Sequence, residues 1–219
     1  SSTEVSRANL LTPTGASFAS RHPCATFDIY GACADAVLGC YREAGGRSSR
    51  PVVAAVDYAE SIVAEEIDEF ARVFAELGAD LHFTDMRELR YENGVLGDSR
   101  GPIDCVWRRV VISEMLEKPC PGSEAFMRCV HDGRVPVVGG FRTWPCATKT
   151  VFAVLRSPRA ERFLSPDELD FVNRHIPETY LLDEGSDLTR FAEKGRWIAK
   201  PRDGYNSVGV RAGSDCTED

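Results

Sequence analysis

The sequence predicts an α/β fold, an open and mostly parallel sheet with helices on its faces. Three observations carry this expectation. Pro51-Val-Val-Ala-Ala-Val56 and Ile103-Asp-Cys-Val-Trp107 are short, nearly continuous apolar runs, the pattern of strands covered on both faces. The stretch after the first run is strongly amphipathic: Ile62, Val63, Ile67, Phe70, Phe74 and Leu77 share one helical face, and Glu65, Glu66, Asp68 and Glu69 fall on the other. Both apolar runs end in charge, Asp57 and Arg108-Arg109, and open α/β sheets bind ligands at the carboxyl ends of their strands.

In chain order, residues 1–24 mix Ser, Thr, Pro and Gly without periodicity and read as a flexible arm or a remnant of expression. From Phe27 to about Glu43, the recurrence of Phe27, Tyr30, Cys33, Val37 and Cys40 marks a buried helical face, stopped by Gly45-Gly46. Beyond Gly78, Leu81-His82-Phe83 and Glu88 to Tyr91 are brief strands, and Asn93-Gly94 turns the chain into Val95-Leu96. Val110 to Leu116 and Ser123 to Val130 read as helices, and Val135 to Val138 as a short strand before Gly139-Gly140. Ala147 to Leu155 is helical with Lys149 in its first turn, where a cation opposes the helix dipole. Ser165 caps a helix over Pro166 to His175 with Leu169, Phe171 and Val172 as its apolar surface. Ile176 to Leu182 is extended, and Asp187 to about Lys194 is a short helix.

Composition narrows the function. The chain has 219 residues and a formal charge of −8, with no basic run to track a phosphate backbone, so no nucleic-acid partner is expected. No apolar stretch approaches the roughly twenty residues of a membrane span, so no membrane partner is expected, and the Ser-Ser-Thr-Glu start lacks a secretion layout; a cytoplasmic location follows. Eight cysteines without a Cys-x-x-Cys pair, and four histidines that do not cluster with them, read as reduced, mostly buried small hydrophobes rather than a metal site. No Gly-x-Gly-x-x-Gly follows a strand, which leaves a nicotinamide dinucleotide without support.

The stretch with most chemistry lies near the end: Arg196-Trp-Ile-Ala-Lys-Pro-Arg-Asp-Gly-Tyr-Asn-Ser-Val-Gly-Val-Arg211. It reads as strand, polar turn, strand, with a lysine closing the first strand beside a loop of small residues. Such a loop offers an ammonium and several backbone N–H groups to a polyphosphate; an ordinary surface hairpin is the alternative. Lys200-Pro201, Gly204 and Gly209-Val210 resemble the Lys-Pro strand and glycine-rich phosphate loop of the ATP-grasp family, with Asn206 and Ser207 where further glycines are usual. Lys149, Ile176-Pro-Glu-Thr179 and Lys200 also occur in the family's order. Val106-Trp-Arg-Arg109 and Phe141-Arg-Thr143 are similar to the glutathionylspermidine synthase-type peptide ligases.

The resemblance implies a Rossmann-like (pre-ATP-grasp) substrate domain over residues 25–145 and an incomplete α+β ATP-grasp subdomain over 146–219. It implies ATP held by Lys149, Lys200, Gly204, Ser207 and Gly209, a substrate carboxylate held by Arg108, Arg109 and Arg142, and Mg2+ ligands supplied by a second subdomain absent from this sequence. The expected function is the front part of an ATP-dependent carboxylate–amine ligase that does not turn over ATP alone. A non-catalytic module binding a small metabolite or a protein stands as the alternative. A nucleotide-sugar transferase would want an Asp-x-Asp after a strand, and the nearest spacing, Glu168-Leu-Asp170, falls in a helix.

Overall fold

The structure, a computed structural model, describes residues 12–22, 28–204 and 207–216. The chain divides into two compact units, Ser1–Gly140 and Phe141–Asp219. The first is mixed α/β, built on a four-stranded parallel sheet. Its strands are β1 (Val52–Asp57), β2 (Asp80–Asp85), β6 (Cys105–Arg108) and β7 (Val137–Val138), in the order β2-β1-β6-β7. β1 pairs with β2 from Val52↔Asp80 to Asp57↔Asp85 and with β6 from Val53↔Cys105 to Val56↔Arg108. The sheet grows in one direction from β1 to β2 and in the other from β6 to β7, so the strand order reverses between β1 and β6.

Helices α2 (Ile29–Glu43) and α3 (Ala64–Glu76) cover one face, because Tyr30, Ala34, Val37, Leu38 and Tyr41 on one and Ile67, Phe70, Val73 and Phe74 on the other form a continuous core with Val53, Ala55 and Cys105. Trp107 closes this core, its ring 4.8 Å from Phe70 in an edge-on arrangement. A second, antiparallel sheet of β3 (Arg90–Glu92), β4 (Val95–Asp98) and β5 (Gly101–Pro102) turns at Asn93-Gly94. Both turn residues have positive φ, 52° and 82°, as a two-residue hairpin loop requires. After α4 (Ile112–Glu117), α5 (Pro121–Asp132) packs on β3, β4 and the 3-10 turn Met86–Glu88.

Several expectations need correction. Residues 13–19 form a helix, α1 (Pro13–Ala19), because Thr12 accepts the Gly15 N–H and Pro13 occupies the first turn; none of its residues is buried. Phe27 and Cys24 lie outside the described residues. In α2 the buried stripe runs through Tyr41 and leaves Cys40 exposed, since a 3.6-residue turn drifts away from a strict three-four spacing. In α3, Val63 and Leu77 at the ends are exposed, and Glu66, placed on the solvent face by pattern, is 4% exposed. The described cysteines are free as expected, but Cys40, Cys146 and Cys216 among them are exposed; burial pushes the Cys105 thiol up to about 12 and the Cys129 thiol up to about 11.

The second unit contains α6 (Trp144–Ala147), α7 (Thr150–Leu155) and α8 (Pro166–His175), then an antiparallel hairpin of β8 (Ile198–Ala199) and β9 (Arg211–Ala212). The helix expected over Ala147–Leu155 is broken at Thr148, whose backbone is extended, so Lys149 is the N-cap residue of α7 rather than part of its first turn. α8 begins with a full capping box, Ser165 accepting from the Glu168 N–H and Glu168 from the Ser165 N–H. The helix expected over Asp187–Lys194 resolves into two 3-10 turns, Thr189–Phe191 and Lys194–Arg196. A small aromatic cluster, Tyr180, Phe191 and Trp197, holds this segment.

Candidate functional sites

In the second unit the chain is folded so that Lys149 lies on the loop that follows Lys200. The Lys149 backbone N–H donates to the Arg202 carbonyl at 3.0 Å, and its ammonium donates to the Gly204 carbonyl. A lysine and a loop about fifty residues apart in sequence are thus joined at two points. Lys200 directly follows β8 and is exposed, with no hydrogen bond or ion pair to a described residue. Ser207 and Gly209 both have positive φ, 60° and 73°. A Cβ at Gly209 would sit 2.8 Å from the Pro201 ring, so the loop packs tightly enough there to need glycine. Tyr205 and Asn206, the turn expected between Gly204 and Ser207, lie outside the described residues. Arg142 is exposed within the 3-10 turn Phe141–Thr143.

The first unit brings Asp57, Arg108 and Arg109 to the carboxyl edge of the sheet, where the strand order reverses between β1 and β6. Arg108 is committed to backbone: its guanidinium donates to the Gly139 and Val110 carbonyls, and burial holds its pKa below the usual arginine value. Arg109 lies over the Trp107 ring at 5.0 Å and forms a 2.9 Å ion pair with Glu66 of α3. The pairing explains why Glu66 is inside: the alternation that turns Val53, Ala55 and Trp107 toward α3 carries Arg109 to the same side, where it neutralises a carboxylate that could not otherwise be buried.

Around Asp57 the edge carries a network that the sequence did not disclose. Tyr58 is fully buried and donates its hydroxyl to the Lys118 carbonyl, with the Arg87 guanidinium 4.9 Å and the Lys118 ammonium 5.0 Å from its ring centre. Arg87 holds Glu60 through two nitrogens and Asp85 through one, and Lys118 bridges Glu60 and Glu114. Ser61 adds a hydroxyl bond to Glu114, and the Ala59 N–H one to Asp85. Hydrogen bonds from Arg87 and Lys118 hold the Glu60 carboxyl at about 2. These partners are distant in sequence, and the sole local signal was that Asp57 and Asp85 each close a strand.

Among the described residues no group of three His, Cys, Asp or Glu side chains could hold a metal ion, and no helix is long and apolar enough to cross a membrane. No protein-family model matches the chain, and no curated protein matches it at a significant level.

Proposed function

We propose that the second unit holds the phosphates of a nucleotide between Lys149, Lys200 and the 204–209 loop, as part of an ATP-dependent carboxylate–amine ligase of ATP-grasp type. The observation that carries this reading is the double attachment of Lys149 to the Arg202–Gly204 segment, directly after Lys200-Pro201. The Lys149 ammonium spends one N–H on the Gly204 carbonyl and keeps two for an anion. Lys200 contributes a second ammonium, and Gly204, Ser207 and Gly209 let the backbone approach phosphate oxygens closely. Together they supply positioning and charge neutralisation, which phosphoryl transfer needs more than covalent help. Arg142 is the candidate within this unit for a substrate carboxylate, and Arg109 keeps guanidinium N–H groups for one in the first unit.

Titration with Mg-ATP, followed by fluorescence of the tryptophans including Trp197, tests the reading. Saturable binding without phosphate release is expected, and Lys149→Ala and Lys200→Ala should each weaken it roughly tenfold or more. No response at millimolar nucleotide overturns the reading.

The second reading, a non-catalytic module that binds a small metabolite, is favoured by the charged network around Asp57 in the first unit. It predicts ligand binding that survives both lysine substitutions.

A further inference from the structure

We propose that Asp57, at the carboxyl end of β1, is the receptor for the protonated amine of a small substrate. Five carboxylates meet at this edge. Glu60, Glu66, Asp85 and Glu114 each have an ion pair with Arg87, Arg109 or Lys118, and Asp57 alone has none among the described residues. Asp57 is 8% exposed, and its Oδ1 accepts the Tyr58 N–H at 2.8 Å. Its Oδ2 takes no hydrogen bond from a described residue. Among those residues no fully buried side-chain oxygen lacks a partner, so Oδ2 is not fully buried and keeps some access to solvent. A carboxylate more than nine-tenths buried, with one oxygen fixed by the backbone and the other open, is arranged to accept from something that is not protein.

Three further facts specify the ligand. The site lies where the sheet reverses its order between β1 and β6, the place where open α/β sheets bind small molecules. The five carboxylates face four nearby cations, Arg87, Arg108, Arg109 and Lys118; the last three offset part of the Asp57 charge, but the sum stays negative and calls for a cation. The group on offer is a carboxylate oxygen that can accept an N–H, which suits an ammonium with N–H donors rather than a quaternary amine. Burial raises the Asp57 pKa and Glu114 adds to the rise, while the Tyr58 N–H, Arg109 and Lys118 oppose it without reversing it, so a bound cation would relieve a charge the fold still destabilises. The inference deepens the ligase reading by locating its amine substrate in the first unit, and as an amine site it stands without ATP.

The test is an NMR titration of the full chain with ethylamine, glycine, acetate and tetramethylammonium, following the Tyr58 amide that is bonded to Asp57. Ethylamine and glycine should move this resonance saturably. Acetate and tetramethylammonium, which lack an ammonium N–H, should not. Asp57→Asn keeps an acceptor for the Tyr58 N–H and should weaken the ethylamine response roughly tenfold or more. Equal responses to ethylamine and tetramethylammonium in the unsubstituted chain, or no saturable shift, would overturn the proposal, and this comparison does not depend on the variant folding. Retained amine binding with no nucleotide binding would sink the ligase reading alone; nucleotide binding without an amine shift would sink this one alone.

Discussion

The two units differ in how their apolar residues are used. In Ser1–Gly140 the sheet is buried on both faces, with Val53, Ala54, Ala55 and Val56 all fully inaccessible, and Phe70, Phe74 and Trp107 interlock above it. In Phe141–Asp219 the only buried apolar residues among those described are Ala160 and Val172, while Phe163, Phe171, Leu188, Ile198 and Val208 are more than half exposed. A unit with a core can hold buried charge in fixed geometry, as Glu66 and Asp57 are held. A unit held by caps, short turns and a hairpin whose strands are two residues long keeps its candidate loop at the surface, where it can adjust to a ligand.

The sharpest way to break this contrast is to cut a hole in the first unit. Phe74→Ala removes a fully buried ring that packs against Trp107 and should cost about 3–5 kcal/mol, read from the urea midpoint. Val172→Ala in the second unit should cost under about 2 kcal/mol. Similar losses at the two positions would show that the second unit has a core as demanding as the first. Hydrogen exchange offers the same comparison without substitution: amides of β1 and β6 should exchange far more slowly than those of β8 and β9.

Next in size is the ion pair inside the first unit. Arg109→Ala leaves the Glu66 carboxylate buried without its guanidinium and should destabilise by about 2–3 kcal/mol, below the full cost of a broken buried pair because Arg109 is partly exposed. Adding Glu66→Gln to Arg109→Ala should recover part of the loss. A double variant no better than the single one would mean that Arg109 acts through its packing on Trp107. Smaller again is Ser165→Ala, which opens the capping box of α8 and should cost about 1 kcal/mol, seen as faster exchange in Pro166–His175.

The same contrast explains what the sequence could disclose. β1, α3, the Asn93-Gly94 turn and the Ser165 cap were legible because each is specified by residues a few positions apart: an apolar run, a helical stripe, a turn pair, a box. Glu66 was misplaced because a glutamate among Glu65, Asp68 and Glu69 looks solvated, and its partner Arg109 lies forty-three positions away, recognisable only once β6 is paired beside β1. Asp57, Arg108 and Arg109 were found through the general rule about strand ends, but the rule could not say that Arg108 would turn onto carbonyls while Asp57 kept an open oxygen. In the second unit the first hairpin strand was legible from Trp197-Ile-Ala199, but the second was expected from Val208, where the chain is still turning, and forms only at Arg211–Ala212; the helix breaks were not legible either, since Thr148 turns extended and Asp187–Lys194 shortens to 3-10 turns with little core to enforce a helix.

The smallest effect is also the one of opposite sign. Burial raises the Asp57 pKa in the folded chain above its unfolded value, so folding favours the protonated form. The resulting stability is present below the unfolded carboxylate range and is lost as pH rises through the folded value, so at neutral pH Asp57 works against the fold. Asp57→Asn keeps the acceptor for the Tyr58 N–H and removes the charge; the variant should be more stable than the parent at pH 7, and its advantage should shrink as pH falls through the carboxylate range. Asp98 behaves in the reverse way. Burial pushes it up, but the bonds from Thr84, the Arg100 N–H and His82 outweigh burial and hold it below the usual value, so its contribution is present above the unfolded carboxylate value and is lost as pH falls through the folded one. Thermal melts of the parent, Asp57→Asn and Asp98→Asn across pH 3–7 separate the two. If Asp57→Asn melts lower than the parent at pH 7, the carboxylate is satisfied by its surroundings, and a residue so well accommodated has no need of an amine.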